Sequence, residues 1–205
     1  MIGILFATPA EAGPFLELSR AVQLDDKPFR VFQVPDHPEW MVCISGIGKV
    51  MAALACQAQI LVFGADEIIN AGACGALRSG PGFAPGTVFC IATAVEGDHE
   101  VLGQAPQPII SDGRIDWDQR AARLVTCDRP VFDTARRLKL SATADLVDME
   151  GAAAARVAAM YQIPWTMLKG ITDAAGQADS STLKENLPMV SEKIGTILWE
   201  RLKQL

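Results

Sequence analysis

The chain has 205 residues, half of them hydrophobic, and carries 18 Lys and Arg against 24 Asp and Glu for a net charge of −6. A chain of this size buries about 70% of its unfolded surface in one core, which predicts a single domain over residues 1–205. The acidic balance, without any long basic cluster, argues against a nucleic-acid surface or an anionic-membrane surface, since both need concentrated positive charge.

In chain order, short apolar runs alternate with helical patterns, the signature of an α/β sheet covered by helices. Strands are predicted near 2–7, 29–34, 41–45, 67–71, 87–94, 122–127, 145–148 and 165–171, and helices near 9–20, 48–63, 131–138, 150–161 and 182–204. The helix at 150–161 is so rich in alanine that it can lie close to a sheet at little cost in helix propensity. The stretch from Gly97 to Gln119 is rich in Gly, Pro and Asp and reads as a long surface loop. No apolar run reaches the roughly 18 residues of a membrane span, and the chain opens directly on Ile2-Gly3-Ile4-Leu5-Phe6, so the expected location is the cytoplasm. Five cysteines far apart in sequence, with no CxxC pair and only two histidines, make a structural zinc site improbable and read as small buried hydrophobes in a reducing compartment.

Three places carry an acid where an apolar strand ends. Ala7-Thr8-Pro9-Ala10-Glu11 follows the first strand, and carboxyl ends of strands in open α/β sheets are where ligands bind. Glu11 is therefore either a ligand-facing carboxylate or an acid in the first turn of a helix. Val147-Asp148-Met149-Glu150-Gly151 leads into the alanine-rich helix, where Asp148 can serve as an N-cap and Glu150 as a first-turn acid or a site residue. Ile171-Thr172-Asp173-Ala174-Ala175-Gly176 ends a buried strand. A carboxyl in an apolar pocket has a raised pKa suited to general acid work, although an Asx turn explains the same residues. Glycine-rich turns at Ser45-Gly46-Ile47-Gly48-Lys49 and Asn70-Ala71-Gly72-Ala73-Cys74-Gly75-Ala76 fit neither the dinucleotide nor the P-loop pattern, but let a sugar or base lie against main chain.

In their order, Glu11, Ser45-Gly46-Ile47-Gly48-Lys49-Val50, Ile69 to Gly75, Asp128-Arg129-Pro130-Val131, Val147-Asp148-Met149-Glu150 and Ile171-Thr172-Asp173 resemble the purine nucleoside phosphorylase/nucleosidase superfamily. The likeness is greatest to its methylthioadenosine/S-adenosylhomocysteine nucleosidase branch. The resemblance implies a mixed, twisted sheet flanked by helices and a homodimer. It implies a purine nucleoside as the small-molecule partner and no metal or organic cofactor. It also implies roles: Asp173 as the acid at purine N7, Glu150 on the ribose hydroxyls with Met149 against the sugar, and Glu11 as the base for water. Ala7, Ile47, Ala73, Cys74, Gly75, Pro130, Val131, Thr172 and Leu183 would complete the substrate pocket.

The chain departs from that branch at Ala73, where a serine is usual, at Cys74, and at Pro130, where an aromatic normally stacks on the base. A phosphorylase needs groups that hold phosphate, and the arginine and serine of the hexameric phosphorylases are replaced by Asn70 and Ala73. Arg78 remains within a few residues as a candidate anion ligand. Besides hydrolysis of a 5′-substituted adenosine, three readings stay open: a futalosine hydrolase, a phosphate-dependent phosphorylase, and a nucleoside-binding protein without catalysis.

Overall fold

The computed structural model describes residues 1–99, 103–104, 107–176 and 180–205. The strands are β1 (Ile2–Phe6), β2 (Val22–Asp25), β3 (Arg30–Val34), β4 (His37–Ile44), β5 (Glu67–Ala76), β6 (Val88–Glu96), β7 (Ile109–Ile110), β8 (Ala121–Thr126), β9 (Leu146–Asp148) and β10 (Trp165–Ala174). The helices are α1 (Pro9–Leu18), α2 (Lys49–Leu61), α3 (Thr134–Ser141), α4 (Gly151–Met160) and α5 (Ser181–Leu202).

All ten strands join one mixed sheet, in the order β10-β6-β8-β9-β5-β1-β4-β3-β2, with β7 beside β6. A further pairing of β10 with β5 closes β5, β10, β6, β8 and β9 into a ring. Helices cover the sheet because its strands bury both faces. Ala55 and Cys56 of α2 and Ala152, Ala155 and Ala158 of α4 pack with Ile68 and Met167. On the other side Phe15 of α1 and Val190, Ile194 and Leu198 of α5 pack with Ile4, Phe6 and Leu168. The small side chains of α4 permit a close approach: a Cβ on Gly151 would lie 2.5 Å from Leu124 Cδ2.

The topology opens a gap at one strand edge. β10 runs along one edge of β5 from Ile68 to Ala76. On the opposite edge β1 pairs only with residues 67–70, and β9 only with Gly75 and Ala76. Between these partners, Ala71 to Cys74 have no strand beside them on that edge. The segments leaving β1 and β9, which carry Glu11 and Glu150, enter this gap.

Several expected bounds shift for physical reasons. The helix read at 131–138 begins at Thr134, because the Asp133 side chain accepts the Arg136 N–H at 2.7 Å and caps it there. Residues 131–132 stay outside that helix. β2 was not expected: it is only four residues long and exposed throughout, its alternating Val22 and Leu24 included. The segment read as loop from 97 to 119 contains β7, and residues 100–102 and 105–106 of it lie outside the described residues. β5 and β10 run past their expected ends, to Ala76 and Ala174, since each continues to pair with the other.

Candidate active site

A cavity of about 280 Å³ occupies the gap beside β5. Glu11 reaches it from the first turn of α1. Thr8 caps this helix reciprocally: its Oγ1 accepts the Glu11 N–H, while Glu11 Oε2 accepts the Thr8 N–H at 2.9 Å and the Thr8 hydroxyl at 2.7 Å. The first-turn reading of this acid is thus realised, but it is only half of the geometry. Glu11 Oε1 crosses to β5 and accepts the Ala73 N–H at 2.9 Å, a donor left free where β1 and β9 both leave that edge. A Cβ on residue 72 would lie 2.6 Å from the same oxygen, so a side chain there would displace the Glu11 carboxylate from this position.

Asp148 and Glu150 divide the duties left open at the start of α4. Asp148 Oδ2 accepts the Gly151 N–H at 2.8 Å, and its Oδ1 accepts the Thr126 hydroxyl at 2.5 Å, while Thr126 Oγ1 accepts the Ala152 N–H. With the helix N-terminus satisfied this way, Glu150 is released to the cavity, where its Oε1 accepts the Gly48 N–H at 2.8 Å. Gly48 has φ +103°, a conformation glycine adopts without steric cost. Burial pushes the Glu150 carboxyl up to about 7, aided by the charge of Asp148, with Lys169 and the Gly48 bond opposing. Behind the site Lys169, 2% exposed, pairs with Asp148 at 2.8 Å. Burial works against its charge, but Asp148 and Glu150 outweigh burial and hold the ammonium above its ordinary range. A buried pair of this kind contributes position more than stability.

Asp173 arrives by a bulge. The register of β10 on β5 passes from Ile171↔Cys74 to Asp173↔Gly75, with Thr172 extra, and such bulges re-aim side chains. Thr172 Oγ1 donates to Asp173 Oδ1 at 2.8 Å. Burial raises the Asp173 carboxyl above the usual range, and the Thr172 bond offsets part of that.

The remaining expected positions fall on the same cavity. Ala7 and Ile47 border the Glu11 and Glu150 side, Ala73, Cys74 and Gly75 form the β5 wall, and Met149 precedes Glu150. Pro130, Val131, Thr172 and Leu183 line it as well. Burial pushes the Cys74 thiol up, away from the thiolate a nucleophile would need. Seven lining residues were not among the expected pocket positions: Thr8, Phe132, Val147, Asp148, Ala175, Ser180 and Leu187. Thr8 was legible in the T-x-x-E capping pattern. Phe132, 40% exposed, brings an aromatic ring to the wall where Pro130 supplies none. Leu187 lies one helical turn beyond Leu183, so helical periodicity marks it.

Arg78 does not reach this cavity. Its Nε is 3.1 Å from Asp145 Oδ1, a carboxylate also held by Arg123 at 3.0 Å. Among the described residues no Lys, Arg or His lines the cavity, no group of three His, Cys, Asp or Glu side chains converges as a metal would require, and no helix is long and apolar enough to cross a membrane.

Three carboxyls of unlike surroundings, Glu11, Glu150 and Asp173, thus stand at the strand ends of a mixed α/β sheet around one apolar-walled cavity. The chain belongs to the phosphorylase superfamily, whose family model matches residues 1–203. Among its relatives is the 5′-methylthioadenosine/S-adenosylhomocysteine nucleosidase of Arabidopsis thaliana, 28% identical over 74% of this chain and 64% of that protein, so the match spans somewhat under two thirds of the relative's length. The aminodeoxyfutalosine nucleosidase of Campylobacter jejuni is 26% identical over 86% of each chain. The fold matches the crystal structure of Helicobacter pylori 5′-methylthioadenosine/S-adenosylhomocysteine nucleosidase with a TM-score of 0.90, at 22% identity, over 100% of this chain and 98% of that one. These relatives are nucleosidases, enzymes that hydrolyse N-glycosidic bonds.

Proposed function

We propose that this protein hydrolyses the N-glycosidic bond of a 5′-substituted purine nucleoside of the methylthioadenosine/S-adenosylhomocysteine type, with Asp173 as general acid and Glu11 as general base. The observation that carries this reading is the convergence of Glu11, Glu150 and Asp173 on one cavity. Glycosidic cleavage passes through an oxocarbenium-like sugar, which needs an acid at the departing base and a base at the attacking water. Burial favours the protonated form of Asp173, the form that donates to purine N7 while its other oxygen accepts from the exocyclic amine. Glu150 accepts hydrogen bonds from the ribose hydroxyls, with Met149 against the sugar. Glu11, anchored by three donors, orients a water and takes its proton, and the carboxylates stabilise the cationic sugar as it forms. Phe132 offers the base an aromatic face.

Water is favoured over phosphate as nucleophile because the lining supplies no cation among the described residues and Arg78 is committed to Asp145. Purified protein incubated with a panel of purine nucleosides, with and without phosphate, tests this: free base released without phosphate is expected. Release only in its presence would replace the reading with phosphorolysis. Assembly as a homodimer is part of the same proposal. Val50, Leu54 and Leu61 leave an exposed apolar stripe on α2, continuous with Ile47 at the cavity, and sedimentation of the wild type against Leu54→Glu tests it.

A further inference from the structure

Leu183, Asn186 and Leu187 stand at i, i+3 and i+4 on α5 and so share one face of the helix. The two leucines line the cavity. Asn186, half-buried, makes a different contact: its Nδ2 donates to the Thr172 carbonyl oxygen at 2.8 Å. A carbonyl oxygen only accepts, so the nitrogen end of the Asn186 amide is the end that faces it. The helix itself is held further along by apolar packing, through Val190, Ile194 and Leu198 against Leu168. That packing leaves the amide free for a task other than seating α5.

Thr172 is the residue that the register of β10 on β5 passes over, and a bulge leaves its extra residue outside the regular ladder. On the other edge of β10, the pairing with β6 runs from Leu168 to Gly170, followed by the bonds of Ile171 to Thr87 and Gly86. Asn186 therefore grips the chain where the regular ladder is interrupted. The Thr172 carbonyl and the Asp173 N–H belong to one rigid peptide plane. Turning that plane swings the Asp173 side chain, so a bond that fixes the carbonyl fixes the direction of the carboxyl. The Thr172 hydroxyl, 2.8 Å from Asp173 Oδ1, steadies the carboxyl itself but not the plane from which it springs.

We propose that Asn186 is a positioning residue for the general acid: from α5 it holds the bulge of β10 in the form that aims Asp173 into the cavity. This rests on the nucleosidase reading above, in which Asp173 protonates the departing base. The test compares two leaving groups on one sugar. 5′-Methylthioadenosine needs a proton on its base, whereas the 4-nitrophenyl glycoside of the same methylthioribose releases an anion that is stable without one. Asn186→Leu keeps the size of the side chain and removes the donor. It is expected to lower kcat on the nucleoside roughly tenfold more than kcat on the nitrophenyl glycoside, because small misplacements of a reacting group cost rate steeply. KM for the nucleoside is expected to change by less than about threefold, since the acid acts in the transition state. Asn186→Ala, which adds no bulk, should show the same bias, and Asp173→Asn a larger one. Equal losses on the two substrates, or a loss confined to KM, would overturn the inference and leave the nucleosidase reading intact. A wild type inactive on both substrates would defeat that reading. Calorimetry with adenine then decides the inference: Asn186→Leu is expected to weaken binding roughly tenfold by misdirecting Asp173, and unchanged affinity, or no binding by the wild type, would overturn it.

Discussion

Glu11 and Asp173 face the same cavity from opposite kinds of support. Glu11 is anchored by three donors drawn from two elements, the Thr8 N–H and hydroxyl at the head of α1 and the Ala73 N–H of β5. Asp173 accepts, among the described residues, one hydrogen bond, from the hydroxyl of its neighbour Thr172, and its carboxyl is pushed up by burial. The contrast matches two tasks. A base must be aimed, and its lone pairs fixed by donors; an acid must keep its proton, and few donors with much burial achieve that.

Substitutions at the two ends test this contrast. The largest effect is expected from Asp173→Asn, which keeps the shape but has no proton to give: kcat/KM for an adenine nucleoside should fall roughly 10³-fold with the thermal midpoint little changed. Near-wild-type turnover would remove Asp173 from the acid role. Glu11→Gln should cost roughly 10²-fold, chiefly in kcat, since the amide cannot take the proton from water. Thr8→Val removes one of three anchors and the helix cap together. A loss of about tenfold in kcat is expected, with about 1 kcal/mol of stability lost from the cap. A KM effect alone would show that Glu11 holds substrate and does not act on water.

The smallest effect is a displacement in pH. A general acid works below its pKa, so activity is present at low pH on that limb and is lost as pH rises through the raised value of Asp173. Thr172 donates to the ionised carboxylate and so favours it. Thr172→Val should therefore move the basic limb of the kcat/KM profile to higher pH, by a fraction of a unit to about one unit. A move to lower pH would contradict the role assigned to that hydrogen bond.

Much of this candidate site was legible in the sequence because its carboxyls sit at strand ends. Glu11, Glu150 and Asp173 each follow an apolar run, and the glycine-rich turns occupy the positions of closest main-chain approach, as at Gly72 beside Glu11. What could not be read depends on partners distant in the chain. The alternatives at Asp148 and Glu150 are separated by Thr126 and Lys169, which hold Asp148 on the α4 N-terminus and free Glu150. The bulge that turns Asp173 inward exists only in the register of β10 against β5. Phe132 was hidden because a helix was expected from residue 131, whereas the Asp133 cap keeps the segment Pro130 to Phe132 outside the helix and along the cavity wall. Arg78, a plausible anion ligand by proximity in sequence, is withdrawn by Asp145, which lies 67 residues away.

The measurement that bears most directly on the central claim is the fate of oxygen from water. Turnover of an adenine nucleoside in ¹⁸O-labelled water with phosphate present, followed by mass spectrometry of the sugar, distinguishes the two nucleophiles. If Glu11 activates water while Asp173 protonates the base, the released sugar carries one ¹⁸O at C1′, and the label appears at a rate that drops with Glu11→Gln. A sugar 1-phosphate free of label would contradict the account.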